Sequence, residues 1–260
     1  MPELPEVETI VRGLAPRLQG QQIVQARYWP SRVFRGEFPP ELAGAVVWQV
    51  SRYGKFIVAR CDRGFLGIHL GMTGKLLFDA APQKHTRAFW EFSEFRLVLE
   101  DIRQFGRVLW GEQLPEPIAS LGPDPLEVPR EEFVQRARRY RTSVKGLLLN
   151  QQFLRGLGNI YADELLFRAR LHPERRTEEL SPAAWERVWT EMRHLLLEAI
   201  ALGGSSISDY VNTAGQKGSF QREHRVYARE GEPCVVCGSP IQKTVLLQRG
   251  THYCPRCQRL

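Results

Sequence analysis

Two cysteine pairs near the C-terminus constrain this chain more tightly than anything else in it. Cys234-x2-Cys237 and Cys254-x2-Cys257 are separated by 16 residues, the spacing at which four thiolates close around one zinc ion. Four ligands fill a tetrahedral coordination sphere and leave no position for a catalytic water. The expected Zn2+ is therefore structural and folds the tail. Two matched pairs make a complete ligand set, which argues against a redox dithiol. Cys61 is left over and is expected to be buried and inert. Between the pairs, residues 243–248 and 251–253 alternate as in a β-hairpin, with Arg249-Gly250 placed at the turn.

The 260 residues are 43% hydrophobic, enough for a real core and for one to three domains. The net charge is +7, which favours a polyanionic partner. Much of the excess lies between residues 216 and 260, with eight Lys and Arg against three Asp and Glu. No apolar run is long enough to suggest a membrane span. The start lacks the basic and apolar regions of a signal peptide, so a cytoplasmic protein is expected. Five cysteines, four in a metal spacing, do not form a disulfide framework.

Val7, Ile10, Val11 and Leu14 predict a helix over 5–14. Short runs rich in Val, Ile, Phe and Trp follow at 22–29, 45–51, 56–61, 64–70, 75–78, 88–92, 96–100 and 108–110. Their spacing predicts a sandwich or barrel. Prolines between 114 and 126 break both periodicities. Helices are predicted over 130–139, 144–152, 160–169 and 182–202, the last with a core stripe that includes Trp185, Val188 and Met192. The class is α+β and multidomain: a β-sandwich with a packed N-terminal helix at 1–115, a linker at 116–129, a helical domain at 130–225 and a zinc hairpin at 226–260. Arg136, Arg138, Arg139, Arg141 and Lys145 form a basic cluster, either a solvated face or an edge turned to nucleic acid. Gly, Ser and Asn at 203–220 predict a mobile loop.

The N-terminus offers chemistry. Removal of Met1 leaves Pro2 with a free secondary amine, and an α-amine has a pKa of about 7.7–8. Such an amine attacks electrophilic carbon and forms Schiff bases, and Glu3 beside it could move protons. The same residues also suit an ordinary helix start, with Pro5 in the first turn and Glu6 and Glu8 favouring the dipole. Other stretches are equally two-sided by themselves. Lys55 sits at a strand start, residues 69–74 read as a glycine-flanked turn, and residues 101–106 read as a turn with an exposed Arg and Phe. In 151–164, two glycines end one helix and Asn159 could cap the next, where backbone N–H groups favour anions.

Taken in order, PELPEVET, Lys55, HLGMTG, DIRQFG, GLGNIYADE and the cysteine quartet resemble the formamidopyrimidine-DNA glycosylase (Fpg/MutM) branch of the Fpg/Nei family along essentially the whole chain. The resemblance implies a bifunctional DNA glycosylase and AP lyase that excises oxidised purines from double-stranded DNA, acting as a monomer in bacteria. It casts Pro2 as nucleophile, Glu3 as acid/base, and Lys55 and Arg249 as groups that grip the backbone and assist catalysis. His69, Met72, Arg103, Phe105 and Asn159 would contact DNA, with Met72 as a wedge and Arg103 filling the vacated stack. Glu6 and Lys217 would orient or read the base, and Cys234, Cys237, Cys254 and Cys257 would hold the zinc within a helix–two-turns–helix and zinc-finger arrangement. Gln104 departs from the family pattern, which usually has a second basic residue there. The alternatives are a Nei-type enzyme for oxidised pyrimidines and a non-catalytic damaged-DNA-binding protein. An intact Pro2-Glu3 with Lys55 argues against the latter.

Overall fold

Val7, Ile10, Val11 and Leu14 all turn inward from α1 (Leu4–Leu18) and are buried. The helix begins with a reciprocal capping box. The Glu3 side chain accepts the Glu6 N–H, and Glu6 Oε2 accepts the Glu3 N–H at 2.7 Å. Pro5 fits the first turn because its missing N–H has no intrahelical partner there. The structure is a computed structural model that describes residues 1–35, 39, 41–207 and 209–260.

Eight strands follow: β1 (Gln25–Tyr28), β2 (Val47–Tyr53), β3 (Phe56–Cys61), β4 (Gly64–His69), β5 (Lys75–Phe78), β6 (Thr86–Glu91), β7 (Arg96–Glu100) and β8 (Arg107–Gly111). They form two antiparallel sheets, ordered β1-β6-β7-β5 and β2-β3-β4-β8. Apolar residues from both sheets, among them Val50, Ile57, Leu66, Trp90 and Leu97, pack with the inner face of α1 into one core. This is the predicted sandwich, with every predicted strand present. Cys61 lies in that core, where burial pushes its thiol up to about 11 and so keeps it protonated and unreactive near neutral pH.

This first unit comprises Met1–Ser120 together with Leu202–Gln221. The loop was expected with the helical domain; its contacts put it here instead. Glu6 Oε1 accepts the Ser205 N–H at 2.7 Å, and Tyr210 donates from its hydroxyl to the Gly203 carbonyl. Tyr210 joins the sandwich core. Gly13 lets α1 approach the loop, since a Cβ there would lie 2.6 Å from Thr213 Oγ1. The loop is also hydrogen-bonded within itself. Asn212 Oδ1 accepts from Ala214 and Gln216, and Ser206 Oγ accepts from Gly218. Ser208, part of the same stretch, lies outside the described residues. The proline-rich linker includes one short helix, α2 (Glu116–Ala119).

The second unit comprises Leu121–Ala201 and Arg222–Leu260. Its helices are α3 (Arg130–Ala137), α4 (Val144–Leu149), α5 (Asn159–Arg168) and α6 (Pro182–Ala201). Phe133, Phe153, Tyr161 and Trp185 are fully buried among their leucines. The hairpin β9 (Gln242–Leu246) and β10 (Arg249–Tyr253) is antiparallel, with Arg249 opposite Leu246 and Gly250 opposite Val245. Its turn is therefore Leu247-Gln248, both left-handed at φ 51° and 58°. Arg249-Gly250, expected at the turn, already belongs to β10. Two-residue turns usually carry Asn or Gly, and Leu-Gln has no such signature. Among the described residues no helix is long and apolar enough to cross a membrane.

Candidate active site

In the first unit, strand register gathers residues that are far apart in sequence. Gly54, at φ 62°, and Lys55 form the turn from β2 to β3. Phe56 then pairs with His69, and His69 pairs with Arg107. His69 is half-buried and its imidazole is neutral near pH 7. Burial first, then the charges of Lys55, Arg107 and the N-terminal amine, bring its pKa down to about 4. Four predicted or basic elements thus converge: the N-terminus, Lys55, His69 and Arg107. Pro2, Glu3 and Glu6 are buried at the start of α1. The two carboxylate oxygens of Glu6 receive the amides of Glu3 and Ser205, so Glu6 ties the N-terminus to the 202–221 loop. Lys217 is exposed on that loop.

Two turns that each carry the chain from one sheet to the other, after β4 and after β7, are clamped together beside this cluster. His69 Nδ1 accepts the Gly71 N–H at 3.1 Å. Gly71 has φ 60°, and a Cβ there would lie 2.4 Å from the Phe105 carbonyl carbon, so only glycine permits the contact. Asp101, almost fully buried, accepts from the Thr73 hydroxyl at 2.6 Å and from the Gly106 N–H at 2.8 Å. Thr73 Oγ1 in turn accepts the Arg103 N–H. The result holds apolar side chains outward against their preference: Met72 is 41% and Phe105 54% exposed. The Arg103 guanidinium lies 4.6 Å from the centre of the Phe105 ring. Large exposed apolar groups on a braced loop mark a surface that meets a partner.

In the second unit, Gln151 shapes the connection between α4 and α5. Its Oε1 accepts the Gly156 N–H, and its amide donates to the Leu149 and Leu157 carbonyls. Gly158, not Asn159, caps α5, and no side chain completes the cap. Asn159 was expected to do so; its amide is instead directed at the hairpin, donating to the Gly250 carbonyl at 2.9 Å. Asn159 and exposed Arg249 are thereby brought together at the start of α5, where the helix dipole favours an anion. Lys145 also departs from expectation. It leaves the basic cluster and is fully buried, with Nζ 2.6 Å from Asp163 Oδ1 and 2.7 Å from Thr251 Oγ1. The other Asp163 oxygen accepts the His252 N–H. Glu164 accepts the amides of Arg225, Val226 and Tyr227; burial pushes its carboxyl up, and the three amides oppose that shift.

The four cysteines fit a zinc ion. Their sulfurs all lie within 4.8 Å of one another, at 3.9 Å for Cys234–Cys257 and 3.4 Å for Cys237–Cys254. Tetrahedral zinc with Zn–S bonds of about 2.3 Å requires S–S separations of ~3.8 Å. Amides of Val236 and Cys257 point at Cys234 and Cys254 sulfurs, as suits thiolate ligands. Beneath the site, among the described residues, only Phe167, Val226, Ile241 and two of the cysteines make up the buried core. So small a core requires the metal.

Comparison with known proteins agrees with this geometry. Residues 1–108 match the formamidopyrimidine-DNA glycosylase N-terminal domain, 121–211 its H2TH domain, and 231–260 the zinc finger found in FPG and IleRS. The formamidopyrimidine-DNA glycosylase of Solibacter usitatus is 48% identical, with all of both chains covered. The chain belongs to the formamidopyrimidine-DNA glycosylase family. It is accordingly a DNA glycosylase and AP lyase of base excision repair, with one structural zinc. MutM (Fpg) from Thermus thermophilus superposes with a TM-score of 0.89 at 39% identity, covering 99% of this chain and 98% of that one. A Lactococcus lactis Fpg mutant in complex with Fapy-dG-containing DNA gives the same TM-score at 34% identity, with full coverage of both.

Several residues that hold this glycosylase's site together escape a reading by motif. Asp101 lies in the same stretch as Arg103 and Phe105, and by motif it is indistinguishable from a turn aspartate. Its buried carboxylate is what links the two turns. Lys145 had a signal, since Val144, Leu147 and Leu148 place it within an apolar run. Tyr210 had none.

The depressed His69 pKa gives a pH dependence. Its folded value of about 4 lies below the unfolded value near 6.5. The unfolded chain therefore binds a proton first, and stability falls as pH drops from about 6.5 towards 4, by on the order of 2 to 3 kcal/mol. His69→Asn keeps an acceptor for the Gly71 N–H, because Asn bonds the amide two residues on, and removes the titration. Denaturant midpoints of this variant should fall less between pH 7 and 4 than those of wild type. Parallel curves would show that His69 is not the group responsible.

Proposed function

We propose that this enzyme removes oxidised purines, 8-oxoguanine and formamidopyrimidines, from duplex DNA through a covalent intermediate on Pro2. The observation that carries the reading is the convergence of the N-terminus, Glu3, Lys55 and His69 beside the braced Met72 and Phe105 loop. Reaching the sugar and base atoms requires the damaged nucleotide to leave the stack. Met72 and Phe105 act as apolar wedges that unstack and kink the duplex, and Arg103 occupies the vacated space. Lys55 contacts the backbone near the lesion. Asn159 and Arg249 bind flanking phosphates at the start of α5.

The Pro2 amine, free once Met1 is removed, attacks C1′ as the bond from C1′ to the base breaks and its electrons leave with the base. Glu3 protonates the ring oxygen, the sugar opens, and C1′ becomes an iminium carbon bonded to Pro2 nitrogen. That cation acidifies the C2′ proton. Its loss expels the 3′ phosphate, and a second elimination expels the 5′ phosphate, leaving a one-nucleotide gap. Glu6 orients Glu3 and the 202–221 loop, on which Lys217 faces the extruded base. The four cysteines hold zinc, which keeps the hairpin carrying Arg249 in place and takes no part in the chemistry. The protein works as a monomer in the bacterial cytoplasm, at the nucleoid through its DNA.

Borohydride trapping on duplex DNA carrying 8-oxoguanine opposite cytosine tests this. The expected result is a covalent adduct mapped to residue 2 of the processed protein. An adduct only with oxidised pyrimidines would overturn the substrate assignment. Tight binding without any adduct, Met1 being absent, would overturn the covalent mechanism.

A further inference from the structure

Gln104 sits in the loop that carries Arg103 and Phe105, at φ 57°, a conformation that non-glycine residues seldom adopt. Its side chain leaves the loop and reaches 72 residues back: Oε1 accepts the backbone N–H of Arg32 at 3.1 Å. The far side of that contact is hydrogen-bonded to β8. The Val108 N–H donates to the Val33 carbonyl at 2.6 Å, the Arg35 N–H donates to the Val108 carbonyl at 3.2 Å, and Phe34 bridges Val108. Residues 33–35 thus run along β8, with Val33 buried and Arg32 exposed. Asp101 braces the loop from inside, as described above. Gln104 braces it from the flank and fixes the distance between the backbones of Arg32 and Arg103.

Arg32, Arg35, Arg103 and Arg107 are all exposed around this contact. None forms an ion pair with another described residue. Gln104 itself carries no charge, and its carbonyl oxygen is occupied by Arg32. We propose that Arg32 is a further contact to the DNA backbone on the flank of the wedge loop, and that Gln104 is its positioning residue. The guanidinium fork suits a phosphate, and a main chain anchored on both sides sets where that fork can reach. This rests on the reading that Met72, Arg103 and Phe105 face DNA.

The test is the salt dependence of binding to a duplex carrying a tetrahydrofuran abasic analogue, which cannot be turned over. Each phosphate contact contributes about 0.9 to the slope of log affinity against log salt. Arg32→Gln is expected to lower the slope by about 0.9. Arg63→Gln is expected to keep the wild-type slope, because Arg63 lies beyond Cys61, about 17 Å along β3 from Phe56. Gln104→Ala should lower the slope in the wild-type background and leave it unchanged in the Arg32→Gln background, because it acts only through Arg32. Should Gln104→Ala melt early, Gln104→Asn replaces it, since Asn tolerates this backbone and is shorter. An unchanged slope for Arg32→Gln overturns the contact. Additive losses in the double variant overturn the positioning role. Arg103→Gln separates this proposal from the reading beneath it: if that variant weakens binding and Arg32→Gln does not, only the proposal falls. If neither does, the DNA-facing role of the loop falls with it.

Discussion

Glu3→Gln is expected to lose base excision by a factor on the order of 10² to 10⁴, the range general acid catalysis commonly supplies, while the protein remains as stable as wild type. The prediction separates two roles that the structure gives one side chain. Glu3 is the N-cap of α1, and its carboxylate accepts the Glu6 N–H. The amide oxygen of Gln accepts that bond equally well, and the Glu6 carboxylate still receives the residue 3 amide, seen at 2.7 Å in the native box. Loss of the cap altogether, as in Glu3→Ala, would cost about 1 kcal/mol. What Gln cannot do is give a proton to the ring oxygen. The defect should also depend on substrate. An abasic site already exchanges with its open aldehyde, so the amine can reach C1′ without ring protonation. Single-turnover rates on an 8-oxoguanine duplex and on a preformed abasic duplex measure both. A uniform loss on the two substrates, or a drop in melting temperature of the kind Glu3→Ala gives, would assign Glu3 a structural role only.

The parts of this enzyme that a sequence shows most readily are those where one residue type has few reasons to be present. Paired cysteines at metal spacing, eight short apolar runs and a helical stripe at Val7, Ile10, Val11 and Leu14 could each be read directly, because burial and ligation impose periods and spacings. The β-sandwich followed from them. The site residues were legible only as motifs. Nothing about Lys55 by itself distinguishes it from a solvated lysine; what singles it out is the register that sets Phe56 beside His69. Three features stayed hidden for a common reason. The docking of residues 202–221 on α1, the burial of Lys145 against Asp163, and the turn at Leu247-Gln248 all depend on contacts between distant segments. Local composition points the other way in each: Gly and Ser towards looseness, a lysine among arginines towards the surface, and Leu-Gln towards a continuing strand. Tertiary hydrogen bonds to Glu6, Thr251 and Gly250 override those preferences.

Cys237→Ser is expected to release the zinc and abolish tight DNA binding while the β-sandwich stays folded. A structural zinc contributes about 10–16 kcal/mol of apparent binding free energy. The finger has almost no core of its own to offset its loss. The hairpin does more than display Arg249. Its Gly250 carbonyl holds the Asn159 amide, Thr251 holds the Lys145 ammonium, and the His252 amide holds Asp163. Without the metal, Arg249 loses its place and Asn159 its orientation. The buried Lys145–Asp163 pair also loses the neutral partners that make its burial tolerable. Two charge-assisted or phosphate-directed contacts at about 1.5–3 kcal/mol each correspond to a loss of affinity of roughly 10² to 10⁴. Zinc content, binding to a tetrahydrofuran-containing duplex, and hydrogen exchange read region by region test the three parts together. Exchange should rise in residues 226–260 and around α5, and should stay slow in β3 and β4. Full binding by zinc-free protein would remove the hairpin from the DNA interface. Exchange rising equally in β3 and β4 would mean that the sandwich depends on the finger, contrary to its separate core.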